Sequence, residues 1–343
     1  FFFKQKTAYE IPKRDWSSDV CSSDLQCGKT TLVRSLTEDW KHYDLERQAD
    51  FDVVHRDPDL FFRLNSNKTT IDEAQLAPSV FPALRVAIDA QRKRKGRFVI
   101  TGSSSPDLLT QVSESLAGRV GIIELAPLSW AEATETSHRD SFVERLRSRK
   151  TKAADLLDGL KPRAGVDQAH DYWFRGGFPE PWVEHTDDFR RHWVEQYLRT
   201  YFDRDIRKLF PGLDDVRFRH FLEMLGGLSG RILNYAETAR ALSVSQPTAR
   251  DYFDIAHGTY IWRRIPAYSG DTLKRSVKHP RGYVRDSGVL HSLLRIPDLD
   301  ALLSHPVAGA SWEGMVVEQI LRQMNDVGES CSYSYYRTSA GAE

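Results

Sequence analysis

Three short motifs carry side chains that suit phosphate and metal chemistry. The first is Gly28-Lys29-Thr30, followed by Thr31 and by apolar residues at helical spacing. This order is typical of the end of a phosphate-binding loop, in which the lysine contacts the β- and γ-phosphates and the hydroxyl ligates Mg²⁺. The motif therefore predicts a nucleotide site with Gly28, Lys29, Thr30 and Thr31 as its candidate residues.

The second motif is the acid pair Asp72-Glu73, which ends a short run of strand-forming residues. At the end of a strand, Asp72 would hold Mg²⁺ through its water shell and Glu73 would polarise an attacking water. The alternative is a pair of solvated acids at the start of a helix. Residues Lys68-Thr69-Thr70 are also more polar than a buried parallel strand usually is.

The third motif follows a predicted strand over Phe98–Thr101. In the turn that follows, Ser103 is the first candidate for a hydroxyl beside the γ-phosphate, and Thr101 is the second. The alternative is that the serines cap the next helix.

Downstream, "SESLAGRVGIIELAPLS" predicts a helix, a glycine stop and a strand, with Arg119 at the junction. Arg119 is a candidate arginine finger toward a neighbouring subunit's nucleotide, or else a surface ion pair.

The residues before the first motif do not fit it. A complete loop needs a glycine at position 23 and a buried strand before it, but Ser23 stands there and no apolar run precedes it. "KQKTAYEI" and "DWSSDVCSSDL" resemble a translated sequencing adapter, with a barcode-length gap between them. We therefore expect residues 1–25 to be an artefact and native sequence to begin at Gln26; the alternative is a disordered polar arm.

Taken in order, the motifs resemble those of prokaryotic AAA-type P-loop ATPases. These carry "GPRQ-x-GKT … DE-x-Q … TGS … SLAGR" and a C-terminal module of unknown function. Gln26 and Gln75 match this pattern, whereas Ser23, Asp24 and Leu25 depart from its Gly, Pro and Arg. The resemblance covers residue 26 to about residue 330 and implies ATP, Mg²⁺ and the roles given above. Because of the three departures, we expect this chain to bind ATP poorly.

The implied fold class is α/β: a P-loop NTPase (AAA-like) parallel sheet core lacking its native first strand, then a helical lid, a winged helix-turn-helix and a truncated α/β tail. In the lid, "FRGGFPEPW" predicts a break between two helices. One later helix has a single apolar face, made by Val194, Leu198, Phe202, Ile206 and Leu209. The predicted domains are an ATPase core (26–130), a helical lid (131–215), a winged-helix module (216–285) and the start of a nuclease-like domain (286–343).

The winged-helix prediction comes from a helix over Tyr235–Leu242, a three-residue turn, and a second helix capped by Ser245 and ended by Gly258. A strand follows. If this module binds DNA, its major-groove candidates are Gln246, Thr248 and Arg250. A local basic excess would support such binding; it comprises Arg263, Arg264, Lys274, Arg275, Lys278 and Arg281. The alternative is a protein-interaction or lid element with a solvated basic face.

The tail predicts an amphipathic helix with Glu313 and Glu318, then a strand with several tyrosines (Tyr333, Tyr335 and Tyr336). It resembles the start of a restriction-nuclease-like fold, but too few acidic positions are present to assemble a nuclease site. The 343 residues contain 48 basic and 48 acidic side chains and three cysteines, so no charge imbalance or disulfide framework stands out. We expect a cytoplasmic protein without a membrane partner.

These observations favour an ATP-binding protein with Mg²⁺-dependent ATP hydrolysis, coupled to movement of the lid and winged-helix module. Its expected partners are ATP, further copies of itself through Arg119, and DNA or protein through the winged helix. Two alternatives remain at this point. One is a DNA-binding regulator that uses nucleotide as a switch, and the other is a fragment of a nuclease-like effector.

Overall fold

A five-stranded parallel sheet forms the centre of the first part of the chain. The computed structural model describes residues 18–23, 27–103, 115–136, 142–147, 156, 158–162, 164–268, 279–326 and 332–336. The chain divides after Pro127 into two compact units. In the first, the strands lie in the order β2 (Lys41–Asp44), β3 (Thr69–Asp72), β4 (Phe98–Ser103), β1 (Ser18–Ser23) and β5 (Val120–Leu125).

A strand, β1, is present in the sheet although the sequence predicted that the native first strand is missing. Ser18–Ser23 pairs along its length with β4 on one side and with β5 on the other. The sequence had given no apolar run here. Ladder hydrogen bonds use backbone groups, which every residue except proline supplies, so a segment next to two open strand edges can pair without an apolar pattern. That residues 1–25 derive from an adapter stays a prediction.

The described part of the first unit includes the helices α1 (Lys29–Arg34), α2 (Gln48–Arg56), α3 (Pro58–Leu64) and α4 (Val80–Ala90). Helix α3 begins where its sequence favours a start, because Asp57 caps the backbone N–H of Leu60 and Pro58 occupies the first turn. Apolar side chains of α3, α4, β3 and β4 then form one core. Its fully buried members include Phe61, Phe62, Ile71, Phe81, Leu84 and Phe98.

Strand β3 is buried despite its polar sequence. Thr69 and Thr70 are 0% and 1% exposed. Their hydroxyls are satisfied locally, since Thr69 Oγ1 lies 3.2 Å from the carbonyl oxygens of Asn65 and Asn67, and Thr70 Oγ1 lies 2.8 Å from His42 Nδ1. Threonine is β-branched and suits a strand once its hydroxyl is paired. The strand ending at the acid pair is therefore confirmed.

The second unit is mainly helical. The predicted break at "FRGGFPEPW" is present between the helices that end at Arg175 and begin at Pro179, and Gly176 takes a left-handed φ of 78° there. The first helices of this unit are α5 (Trp130–Ala133), α6 (Phe142–Arg147), α7 (Val166–Arg175), α8 (Pro179–Glu184), α9 (Asp187–Thr200) and α10 (Arg207–Leu209).

A π-helical turn over Tyr201–Ile206 joins α9 to α10, so these residues form one nearly continuous helix. Its predicted apolar face is buried at Val194, Phe202 and Ile206, and half-buried at Leu198 and Leu209. A π-turn inserts residues into the helical repeat, which shifts later positions around the axis.

Three helices and a two-stranded sheet follow in the described part of the chain. Helix α11 (Asp215–Leu228) precedes α12 (Tyr235–Ala241) and α13 (Gln246–Gly258), whose bounds agree with the sequence within one residue. Strands β6 (Trp262–Ile265) and β7 (Arg281–Val284) then pair antiparallel. The residues joining them include Lys274, Arg275 and Lys278, which lie outside the described residues.

Three helices complete the second unit: α14 (Ser287–Leu293), α15 (Leu299–Leu303) and α16 (Ala308–Asp326). The predicted tyrosine strand differs from the structure, because within the described residues 332–336 only Tyr335 bridges to a neighbour, Ala267. No helix in the described ranges has both the length and the apolar character needed to cross a bilayer. The boundaries predicted near residues 215 and 285 stay predictions.

Candidate functional site

The candidate nucleotide site begins at the turn into α1. Gly28 has a φ of 99° and a ψ of 21°, a left-handed conformation that glycine adopts without a steric cost. Lys29 follows and is only 7% exposed. Thr30 is half-buried, whereas Thr31 is exposed. The turn thus places a buried cation and a hydroxyl directly after a glycine.

Asp72 lies at the carboxyl end of β3 and contacts this turn. Thr30 Oγ1 donates a hydrogen bond of 2.6 Å to Asp72 Oδ2, although the two residues are 42 positions apart. The backbone N–H of Glu73 donates to Asp72 Oδ1 at 3.2 Å. Asp72 is 6% exposed. The structure therefore brings together the two residues that the sequence named as candidate metal ligands.

Glu73 sits at a sharp turn directly after β3. Its φ of 55° and ψ of 43° are left-handed, a conformation that is uncommon for a residue with a side chain. The Gln75 amide donates a hydrogen bond to the Glu73 carboxylate. Uncommon backbone conformations cluster at functional sites, so this turn adds support to a functional reading.

The neighbouring strand β4 brings a second hydroxyl to Asp72. Thr101, which is fully buried, donates to Asp72 Oδ1. The sequence ranked Ser103 ahead of Thr101 as the hydroxyl of this strand. Ser103 ends β4, and its side chain lies outside the described part.

Arg119 lies at the other edge of the sheet. It directly precedes β5, whereas Asp72 and Ser103 end parallel strands at the carboxyl edge. Its guanidinium pairs with Asp89, with Nε and Nη2 each donating at 2.9 Å to one carboxylate oxygen. This hydrogen bond lowers the pKa of Asp89. The surface ion pair expected as the alternative is thus present.

The candidate DNA-contact residues lie in the first turns of α13. Gln246 and Arg250 are exposed, and the Arg250 guanidinium lies 5.1 Å from the centre of the Tyr235 ring. Thr248 is half-buried; its hydroxyl is 2.7 Å from that of Ser245, which caps the helix as predicted. These three side chains share one end of one helix.

The basic excess predicted beside this helix can be followed for its three described arginines, because Lys274, Arg275 and Lys278 lie outside the described residues. Each described arginine of the set has an acidic partner within the second unit: Arg264 pairs with Asp254, and Arg281 Nη2 lies 3.3 Å from Glu313 Oε2. Arg263 is 8% exposed and pairs with Glu318. Sequence reasoning missed these pairs because their acids lie up to 55 positions away.

Glu318 forms the most enclosed charged cluster described. Arg263 Nη2 donates to Glu318 Oε2 at 2.9 Å, and Arg285 Nε lies 3.4 Å from the same oxygen. Burial alone would raise the pKa of Glu318, but the charges of Arg263 and Arg285 outweigh it and lower the pKa to about 2. Glu318, which the sequence placed only on an amphipathic helix, is therefore a buried counter-ion.

A buried aspartate escaped the sequence analysis altogether. Asp286 caps α14 by accepting from Val289 N at 3.1 Å, and it accepts from Gly177 N at 2.8 Å. Burial raises the pKa of its carboxyl. A Cβ at Gly176 would lie 2.2 Å from Asp286 Oδ1, which explains a glycine at this turn. An Asp before a short helix was the available signal.

Two parts of the chain match known families. Residues 25–134 match a family model described as AAA domain, and residues 166–300 match one described as Domain of unknown function (DUF8612). The first match supports an AAA-type P-loop ATPase family and a nucleotide-binding domain of that type. With its parallel sheet and flanking helices, the first unit is consistent with a P-loop NTPase-like core.

The chain is also similar to two curated proteins, one from Mycobacterium bovis and one from Mycobacterium tuberculosis, each described as uncharacterized. Each is 35% identical to it over 296 residues, which is 86% of this chain and 60% of the relative. The chain thus spans about three fifths of the length of these relatives.

Proposed function

We propose that the first unit binds ATP with Mg²⁺ and hydrolyses it, and that the cycle moves a helical lid and a winged-helix module in the second unit. Lys29 contacts the phosphates with Gly28 and Thr31, while Thr30 and Asp72 hold the metal. Glu73 polarises the attacking water. Further proposals are that Ser103 senses the γ-phosphate, that Arg119 serves a neighbouring subunit, and that the protein works in the cytoplasm.

The observation that carries this proposal is the hydrogen bond from Thr30 to Asp72. It joins two motifs that a linear sequence separates by 42 positions, with an oxygen–oxygen distance of 2.6 Å. In a parallel sheet, ligands bind beyond the carboxyl ends of the strands, and the start of α1 meets the end of β3 at such an end. The match of residues 25–134 to an AAA domain supports the same conclusion.

The residues present fit a magnesium–nucleotide complex. Mg²⁺ takes oxygen ligands and is usually bound by one or two carboxylates together with substrate phosphates and water. Thr30 and Asp72 supply a hydroxyl and a carboxylate side by side, and the buried Lys29 supplies positive charge for phosphate. When bound, the metal would neutralise charge on the phosphates; the protein residues orient the site.

The test uses positions 23–25, where Ser23, Asp24 and Leu25 depart from the Gly, Pro and Arg of the family pattern. We expect the triple variant Ser23→Gly, Asp24→Pro, Leu25→Arg to bind a fluorescent ATP analogue more tightly than the unaltered chain, because backbone amides can then approach the phosphates. Adding Lys29→Ala should abolish that gain in a fluorescence titration.

Lys93→Ala is the matched control, because Lys93 is an exposed lysine of the same unit outside the site. It should leave the affinity of the triple variant unchanged. Equal affinity of the triple variant with and without Lys29→Ala would contradict the proposal, whatever the turnover rate.

A DNA-binding regulator is the second candidate, favoured by the exposure of Gln246 and Arg250 at the start of α13. We propose that α13 is the recognition helix of a winged helix-turn-helix, in which such positions contact base edges. The internal ion pairs of Arg263, Arg264 and Arg281 count against a large phosphate-binding surface.

Duplex binding measured by fluorescence anisotropy at several salt concentrations tests this candidate. Arg250→Ala should weaken binding, and affinity should fall as salt rises because phosphate contacts release counterions. Arg56→Ala, an exposed arginine of the first unit, is the control. Binding that responds equally to both substitutions would exclude recognition by α13.

A further inference from the structure

Asp72 is held on both carboxylate oxygens by groups of the protein. Oδ2 accepts from the Thr30 hydroxyl at 2.6 Å. Oδ1 accepts from the Thr101 hydroxyl and, at 3.2 Å, from the backbone N–H of Glu73. A carboxylate with donors on both oxygens cannot rotate freely about its terminal bond, so its orientation is fixed before any ligand arrives.

The two hydroxyls differ in their surroundings. Thr30 is half-buried in the turn that begins α1, where its hydroxyl can exchange one oxygen partner for another. Thr101 is 0% exposed in the middle of the sheet, where β4 pairs with β1 at Cys21 and with the strand that carries Asp72. A buried hydroxyl needs a partner, and threonine has few rotamers, so Thr101 is the fixed donor of the pair.

We infer that Thr101 is a positioning residue for the metal, which rests on the proposed binding of ATP and Mg²⁺. By occupying Oδ1, Thr101 leaves Oδ2 as the oxygen that faces Thr30 and the cation. Outer partners of this kind fix the orientation of a metal ligand, and their loss typically lowers metal affinity about 10–100-fold. Thr101 itself touches neither phosphate nor metal in this proposal.

A purely structural role for Thr101 makes a different prediction. If its hydroxyl served only to satisfy a buried carboxylate, removal would lower the melting temperature and leave the metal dependence of nucleotide binding unchanged. The discriminating quantity is therefore the ratio of nucleotide affinity with Mg²⁺ to affinity with EDTA.

The experiment uses the 343-residue chain with the three loop substitutions at positions 23–25, and it compares Thr101→Val with Thr101→Ser. Valine matches threonine in shape but lacks the hydroxyl, whereas serine retains it. Thr70→Val is the matched control: Thr70 is 1% exposed on the adjacent strand, and its hydroxyl contacts His42 and the carbonyl oxygen of Lys41.

Fluorescent ATP-analogue titrations and melting curves provide the readouts. We expect Thr101→Val to weaken binding in Mg²⁺ by about 10–100-fold and to leave binding in EDTA unchanged. Thr101→Ser and Thr70→Val should both keep the increase in ATP-analogue affinity that Mg²⁺ gives. The inference is overturned if Thr101→Val loses the same affinity in Mg²⁺ as in EDTA. It is also overturned if Thr101→Val and Thr70→Val have the same affinities in both conditions.

The same titrations distinguish a failure of the proposed function from a failure of the inference about Thr101. If Lys29→Ala does not weaken binding, the nucleotide site is wrong and the role of Thr101 falls with it. If Lys29→Ala abolishes binding while Thr101→Val keeps the full Mg²⁺-dependent gain, the site stands and only the role of Thr101 is wrong.

Discussion

Two buried carboxylates, Asp72 in the first unit and Glu318 in the second, have opposite kinds of partner. Asp72 accepts from two threonine hydroxyls and one backbone N–H. Glu318 is 1% exposed and pairs with two arginines. The described donors to the first carboxylate are uncharged, whereas those to the second are guanidinium groups.

This difference in partners distinguishes the metal site proposed at Asp72 from the structural ion cluster at Glu318. Hydroxyl donors are neutral, so a cation that approaches Asp72 meets a negative charge and an oxygen that can be freed from Thr30. A cation that approaches Glu318 would have to displace guanidinium groups at a large cost in desolvation. Burial of an acid is common to both; the chemistry of its partners distinguishes them.

The largest expected effect is on stability at Glu318. Glu318→Gln removes the negative charge and leaves Arg263 and Arg285 buried side by side, so we expect a loss of about 3–5 kcal/mol in the free energy of unfolding. Urea denaturation measures it. Glu313→Gln on the same helix is the control and should cost less than about 1 kcal/mol, because that side chain is 44% exposed and its ion pair is open to solvent. Similar losses at both positions would remove the distinction drawn here.

Acid should weaken the Glu318 cluster next. The folded pKa of about 2 lies below the ordinary value of 4.5, so the folded state binds fewer protons than the unfolded state between these values. The stabilisation is present above pH 4.5 and is lost as pH falls toward 2. Unfolding free energies should therefore converge between the original chain and Glu318→Gln as pH is lowered. If the difference in unfolding free energy stayed constant as the pH was lowered from 4.5 to 2, the arginines would not be what lowers the pKa of Glu318.

Asp72→Asn should change Mg²⁺-dependent nucleotide binding much more than it changes stability. The amide can still bond to two hydroxyls, since a hydroxyl both donates and accepts, so we expect a stability change within about 1 kcal/mol. In the variant with the three loop substitutions, Mg²⁺-dependent binding of the ATP analogue should fall by more than about tenfold. A large loss of stability with unchanged Mg²⁺ dependence would place Asp72 in the same class as Glu318.

The smallest effect is expected at Arg119. Its ion pair with Asp89 lies near the surface, where solvent and salt weaken such pairs, so Arg119→Gln should leave the melting temperature within error. If Arg119 serves a neighbouring subunit, ATP turnover should fall while analogue affinity is kept. Unchanged turnover at protein concentrations that favour assembly would argue against that role.

The sequence could predict the parts of the site that depend on order along the chain. A glycine-lysine-threonine triplet opening a helix and an acid pair ending a strand meet because parallel strands share a carboxyl edge. Caps such as Ser245 were likewise predictable, because the capping residue and its N–H partner are three positions apart. The sequence ranked Ser103 ahead of Thr101 as the hydroxyl of this strand, and the hydrogen bond from Thr101 to Asp72 depends on a contact between two strands that spacing along the chain does not give.

The remaining features depend on contacts that spacing does not encode. Arg263 and Arg281 looked like a basic surface because their acids, Glu318 and Glu313, belong to α16, much later in the chain. Strand β1 was missed for another reason. Its side chains gave no apolar signal, while the backbone of its two neighbours supplied the pairing.

Strand β1 lies inside the sheet, between β4 and β5, so both of its backbone edges are already paired and neither is open to another chain. A residue without a backbone N–H would leave a gap in this ladder. Proline is therefore expected to be tolerated less well here than on the outer strands of the sheet.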